Sequence, residues 1–71
     1  MLGDKYREIG NRSIIHIHWD DANGLWRIYR GHGPFPGHLG ETAIAELAWR
    51  REDEAQAFLD TLAKKRQWKR V

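Results

Sequence analysis

The dipeptide Asn23-Gly24, set between two runs in which apolar and polar residues alternate, constrains this chain more than any other feature. A type I′ turn needs positive φ at both central positions, which Asn-Gly tolerates well, so the pair predicts a β-hairpin over 13–31. A two-residue turn would set Trp19 opposite Ile28, His18 opposite Tyr29 and Asp20 opposite Arg27. One face then carries Ile15, Ile17, Trp19, Trp26 and Ile28, a core face, with both indoles expected to be buried beneath a helix. The other carries His16, His18, Asp20, Arg27 and Tyr29, a polar and partly aromatic surface. Asp21-Ala22-Asn23-Gly24 also suits a type I turn with a bulge at Gly24. That one-residue slip would mix the two faces, so the apolar pattern favours the type I′ register.

A helix is expected to cover the core face. Ala55, Phe58, Leu59 and Leu62 recur at helical spacing, with Glu52, Asp53 and Glu54 in the first turn and Lys64, Lys65 and Arg66 in the last. This predicts a helix over 52–65. Residues 41–49 read either as a strand, with Ala43, Ala45, Leu47 and Trp49 on one face, or as a helix by their alanine content. A lone hairpin is marginal in water, which favours a third strand. Between these elements lies Gly31-His32-Gly33-Pro34-Phe35-Pro36-Gly37-His38-Leu39-Gly40, a long loop in which Phe35 is a candidate anchor. The expected fold is α+β: a three-stranded antiparallel sheet, hairpin 13–31 plus a third strand 41–49, packed by one C-terminal helix.

Seventy-one residues suit a single small domain, 1–71, with an N-terminal arm or short first strand over 1–12. So short a chain has little core, and its four Trp, two Phe and two Tyr compensate by burying large areas. With 41% hydrophobic and 31% charged residues it reads as globular. The absence of cysteine excludes disulfides and thiolate zinc sites. Apolar runs too short to span a bilayer, and an N-terminus without a signal-peptide core, lead to the expectation of no membrane and a cytoplasmic location. The charge is unevenly spread. Residues 64–71 form a basic tail with Lys64, Lys65, Arg66, Lys69 and Arg70 and no acid, whereas residues 1–60 hold the other seven cations and all ten acids. Such a terminus suits phosphate or an acidic protein surface, and equally complements a helix C-terminus.

Chemistry-bearing patterns are few. His16-x-His18 with Asp20 nearby could in principle bind a metal, but alternate histidines on a strand face more often meet solvent or a partner, and no metal or other cofactor is expected. Ser13 is the only serine, no phosphate-binding loop occurs, and adjacent Asp20 and Asp21 point to opposite faces. A chain this short also suggests too little room for a substrate pocket of several hundred Å³. No catalytic residue is therefore assigned, and a non-enzymatic binding domain is expected. The candidate binding residues are His16, His18, Arg27, Tyr29, Arg30, Phe35, Lys64, Lys65, Arg66, Lys69 and Arg70. Arg, Tyr and His contact phosphates and stack on bases. Three strands followed by a helix resemble, in topology alone, the sheet-reading DNA-binding domains of the integrase-arm type, and no residue role follows from that resemblance. Nucleic acid is the first expected partner. The alternative is a larger protein that docks on the same aromatic and arginine surface and the Phe35 loop, since interfaces favour the same residue types. The sequence does not assign an oligomeric state.

Overall fold

The computed structural model describes residues 3–10, 13–31, 41–42 and 47–71. Strands β1 (Tyr6–Arg7), β2 (Ile14–Asp20), β3 (Leu25–Gly31) and β4 (Glu41–Thr42) precede helix α1 (Glu52–Arg66) and a last strand β5 (Lys69–Arg70). All pair antiparallel in one five-stranded sheet, in the order β4-β3-β2-β1-β5. The α+β class and the hairpin hold, but the sheet is wider than three strands. Glu41–Thr42 pairs with β3, and Trp49 rejoins the same edge through a two-bond bridge to Trp26 at 2.7 and 2.9 Å. The middle of the expected 41–49 strand falls outside the described residues. The segment read as an arm or a short first strand supplies β1, and the expected tail supplies β5, which pairs with it.

The hairpin register differs from both turn readings. Asp20 pairs with Leu25, Trp19 with Trp26, Ile17 with Ile28 and His16 with Tyr29, leaving a four-residue loop at 21–24. Gly24 has φ of 65°, whereas Asn23 does not take the positive φ a type I′ turn requires. Asp20 organises the loop instead. Its carbonyl accepts the Gly24 N–H at 2.7 Å, and its carboxylate accepts the Ala22 N–H at 3.1 Å and the Asn23 amide at 2.8 Å. The slip from the expected register is two residues, so the two faces survive it intact.

The helix seats Leu59 on Ile15 and Ile28, all three fully buried, and Tyr6, Ile17, Trp49 and Trp68 pack around them. Each such aliphatic side chain contributes about 1.5–3 kcal/mol on burial. The tryptophan pair is not beneath the helix. Trp19 and Trp26 meet edge to face at 5.5 Å near the hairpin end, and Trp19 is 38% exposed. The helix stripe is also rotated from expectation. Ala55, Gln56, Leu59 and Ala63 are buried, while Phe58 is displaced to the rim against Trp49 at 5.1 Å. Small alanines one turn either side of Leu59 let the helix backbone approach the sheet closely, which a Phe58-centred stripe would prevent.

Polar contacts clasp the first strand to the helix. Buried Gln56 accepts the Gly3 N–H at 3.1 Å and donates to the Asp4 carbonyl at 3.2 Å and the Asp60 carboxylate at 2.8 Å. Tyr6 donates its hydroxyl to the same carboxylate at 2.6 Å. Burial, reinforced by this bond and by the Asp60 charge, raises the Tyr6 pKa to about 12. The helix ends at Gln67, whose left-handed backbone (φ 61°) lets its N–H and that of Trp68 close on the last carbonyls.

Two stability outcomes follow. Because the folded Tyr6 pKa lies above its ordinary value of 10, its contribution is complete below pH 10 and fades as pH rises towards about 12. Tyr6→Phe should cost about 1.5–3 kcal/mol at neutral pH, the range for a hydrogen bond to a charged group, and should flatten that alkaline loss in urea titrations. Gln67→Gly should stabilise by up to about 1 kcal/mol, read as an upward shift in Tm, because glycine adopts the left-handed region without a Cβ penalty.

Candidate nucleic-acid interface

Strand alternation and the observed register place Tyr6, Ile15, Ile17, Ile28 and Arg30 on the helix side of the sheet. Arg7, Ile14, His16, His18, Asp20, Leu25, Arg27, Tyr29 and Lys69 face the other way. No described element packs on that second face, since α1 contacts the sheet from the Ile15 and Ile28 side.

Its centre is aromatic. His16 is directly opposite Tyr29, with ring centroids 6.2 Å apart, and His18 stands diagonally across at 6.2 Å from Tyr29 and 6.3 Å from His16. Each imidazole donates its Nδ1–H to a backbone carbonyl, His16 to Ile17 at 3.2 Å and His18 to Trp19 at 2.9 Å. An imidazole that donates through Nδ1 has its Nε2 as an acceptor whenever the ring is neutral. Burial, aided by the neighbouring Lys5 charge, lowers the His16 pKa below its ordinary value.

One flank is cationic. Lys69 on β5 lies directly opposite Arg7 on β1, and both are exposed. The next residue outward on the same face is Lys5, beside His16 by continuation of the β1–β2 register. No described acid pairs with these three. A hollow of about 220 Å³ lies against the pair, lined by Arg7, Lys69, Gly10, Ile9 and Glu8. The carboxylate of Glu8 is already engaged by Arg30 at 2.9 Å. Like charges directly across a ladder repel, so the row is unfavourable unless an anion joins it.

The other flank is neutralised. Arg27 pairs with Asp20 at 3.1 Å, diagonally rather than as the direct opposite expected from the type I′ register. A hydrogen bond from the Asn23 side chain, with those of the loop and the Arg27 charge, holds the Asp20 carboxyl below the usual range.

The structure thus brings together His16, His18, Arg27, Tyr29 and Lys69, and separates the rest. Arg30 is on the helix side, bound to Glu8. Lys64, Lys65 and Arg66 form the exposed last turn of α1, in the other layer. Arg70 pairs with Tyr6 on the helix side and reaches Asp4 at 3.5 Å. Phe35 lies outside the described residues, as do His32 and His38. Among the described residues no three His, Asp or Glu side chains gather as a metal site would require. Lys5 and Arg7 were not visible as site residues in the sequence, because a two-residue strand leaves no readable period. The alternation Lys5-x-Arg7 was the one available signal.

The helix side holds a second feature, an open groove of about 640 Å³ whose lining includes Ile9, Leu47, Phe58 and Trp68 with the Glu8–Arg30 pair. No described helix is long and apolar enough to cross a membrane. Comparison with family models, curated proteins and solved structures finds no match to this chain.

Proposed function

We propose that this is a small non-enzymatic domain that binds nucleic acid on the open face of its sheet. The observation that carries the reading is the Arg7–Lys69 row with Lys5 beside it, three exposed cations on one flank of an aromatic centre on which no described element packs. A polyanion relieves their repulsion, and the release of its counterions drives the association. The rings of His16, His18 and Tyr29 supply surfaces on which bases stack. Lys64, Lys65 and Arg66 belong to a different layer and act as partners of the helix terminus rather than of the ligand.

A larger protein partner is the second reading. It is favoured by the groove on the helix side, where Ile9 is 64% exposed and Leu47 and Phe58 are 37% and 38% exposed.

Fluorescence anisotropy with a labelled oligonucleotide over a salt series tests the first reading. With Lys5, Arg7 and Lys69 each neutralising one phosphate, log K should fall against log salt with a slope of about −2 on a single strand and nearer −3 on a duplex. Arg7→Gln should flatten that slope by about 0.7–0.9 while leaving stability unchanged or raising it by about 0.2–1 kcal/mol at low salt, since it relieves a like-charged pair. Lys64→Gln and Lys65→Gln should leave the slope unchanged. Absence of binding at low salt would overturn the reading and turn attention to the groove.

A further inference from the structure

We infer that the nucleic acid this face takes is an unpaired strand, with its backbone over β1 and β5 and its bases turned inward onto Tyr29 and His18. The inference rests on the nucleic-acid reading and names the form of ligand within it.

The argument is one of width. Bases in a duplex present only their edges, and an element must enter a groove to reach them. The His16 and Tyr29 rings lie at the end of the hairpin where β2 and β3 are interior, with β1 and β5 beyond one side and β4 beyond the other, and His18 follows on the hairpin beyond those two-residue strands. Five strands at a spacing of about 4.8 Å span about 19 Å, whereas the major groove of B-form DNA is about 12 Å wide. A duplex would meet this face as a surface of phosphates, engaging the cations and leaving the rings without a role. An unpaired strand offers the faces of its bases, which stack on aromatic side chains irrespective of sequence.

The asymmetry of charge sets the strand's position. Among the described residues of this face, the cations without an acid partner lie on the β1–β5 side of the rings, while Arg27 on β3 is engaged by Asp20. A single strand running along β1 and β5 keeps its phosphates on Lys5, Arg7 and Lys69. Its bases then project across β2 towards Tyr29, and His18 extends the platform towards the hairpin end.

The test compares one labelled sequence as a single strand and as a duplex, by anisotropy at matched salt. The single strand should bind tighter by about tenfold or more. His18→Ala is suited to the comparison because His18 is exposed, and melting of the variant confirms its fold. It should weaken single-strand binding about fivefold or more with the salt slope unchanged, and leave duplex binding unaltered. Tyr29→Phe, which keeps the ring, should bind as the parent does, and Tyr29→Leu should not. Equal or tighter duplex binding, or an equal loss on both ligands in His18→Ala, would overturn the unpaired-strand inference while leaving the nucleic-acid reading in place. Binding of neither ligand would overturn both.

Discussion

The seven-rung pairing of β2 with β3 is the constraint on which the rest of this molecule depends. It aligns Ile15, Ile17 and Ile28 on one face, and with so few large aliphatic residues there is one surface worth covering with a helix. Helix α1 takes it. Among the described residues no second layer covers the opposite face, which carries polar and aromatic side chains. The uncovered surface and the core are thus two results of the same alternation. Every other strand is an addition to an edge of this ladder: β1 to the free side of β2, β4 and the Trp49 bridge to the free side of β3.

Those additions are too short to hold themselves. Two rungs of β1 on β2 and two of β5 on β1 provide little pairing, and side chains reaching to the helix make up the difference. Tyr6 and Gln56 converge on the Asp60 carboxylate, and Gln56 also ties down the backbone at Gly3 and Asp4. Partial burial by itself would raise the Asp60 pKa, but the hydrogen bonds from Tyr6 and Gln56 are among the contacts that hold the carboxyl below its usual range. The clasp also fixes β1 in register, and with it the positions of Lys5 and Arg7 on the far side of the sheet. Packing on one face therefore positions charge on the other.

The sequence made some of this legible and hid the rest for identifiable reasons. Alternation in 14–20 and 25–30 determines parity, and parity alone decides which residues share a face. The register itself was decided by Asp20, whose carboxylate closes a four-residue loop that Asn23-Gly24 does not announce. Slips of two residues are invisible to a pattern of period two. The helix limits were readable from the charges at its ends, and of its buried stripe Ala55 and Leu59 were readable whereas Gln56 and Ala63 were not. Hydrophobicity ranks Phe58 above Ala63, yet close approach to a sheet rewards the smaller side chain. Strands of two residues, β1 and β5, have no period at all. Their cations consequently looked like an arm and a tail, and the flank they build together appears only once the strands pair.

Charge counted along the chain and charge arranged in space therefore lead to different ligand surfaces. The run from Lys64 to Arg70 looks like one basic patch, but the fold disperses it. Three of its cations complete a helix terminus, Arg70 turns towards Asp4, and Lys69 alone crosses to the open face. There it stands against Arg7, a pairing that opposes folding, in a domain whose large fully buried aliphatic side chains, among the described residues, are Ile15, Ile28 and Leu59. Repulsion of this kind is weakest when a polyanion lies across both charges and strongest when the face is bare. On the proposed reading, the row that opposes folding of the free domain would be relieved by the ligand, and folding would be coupled to occupancy of the sheet face.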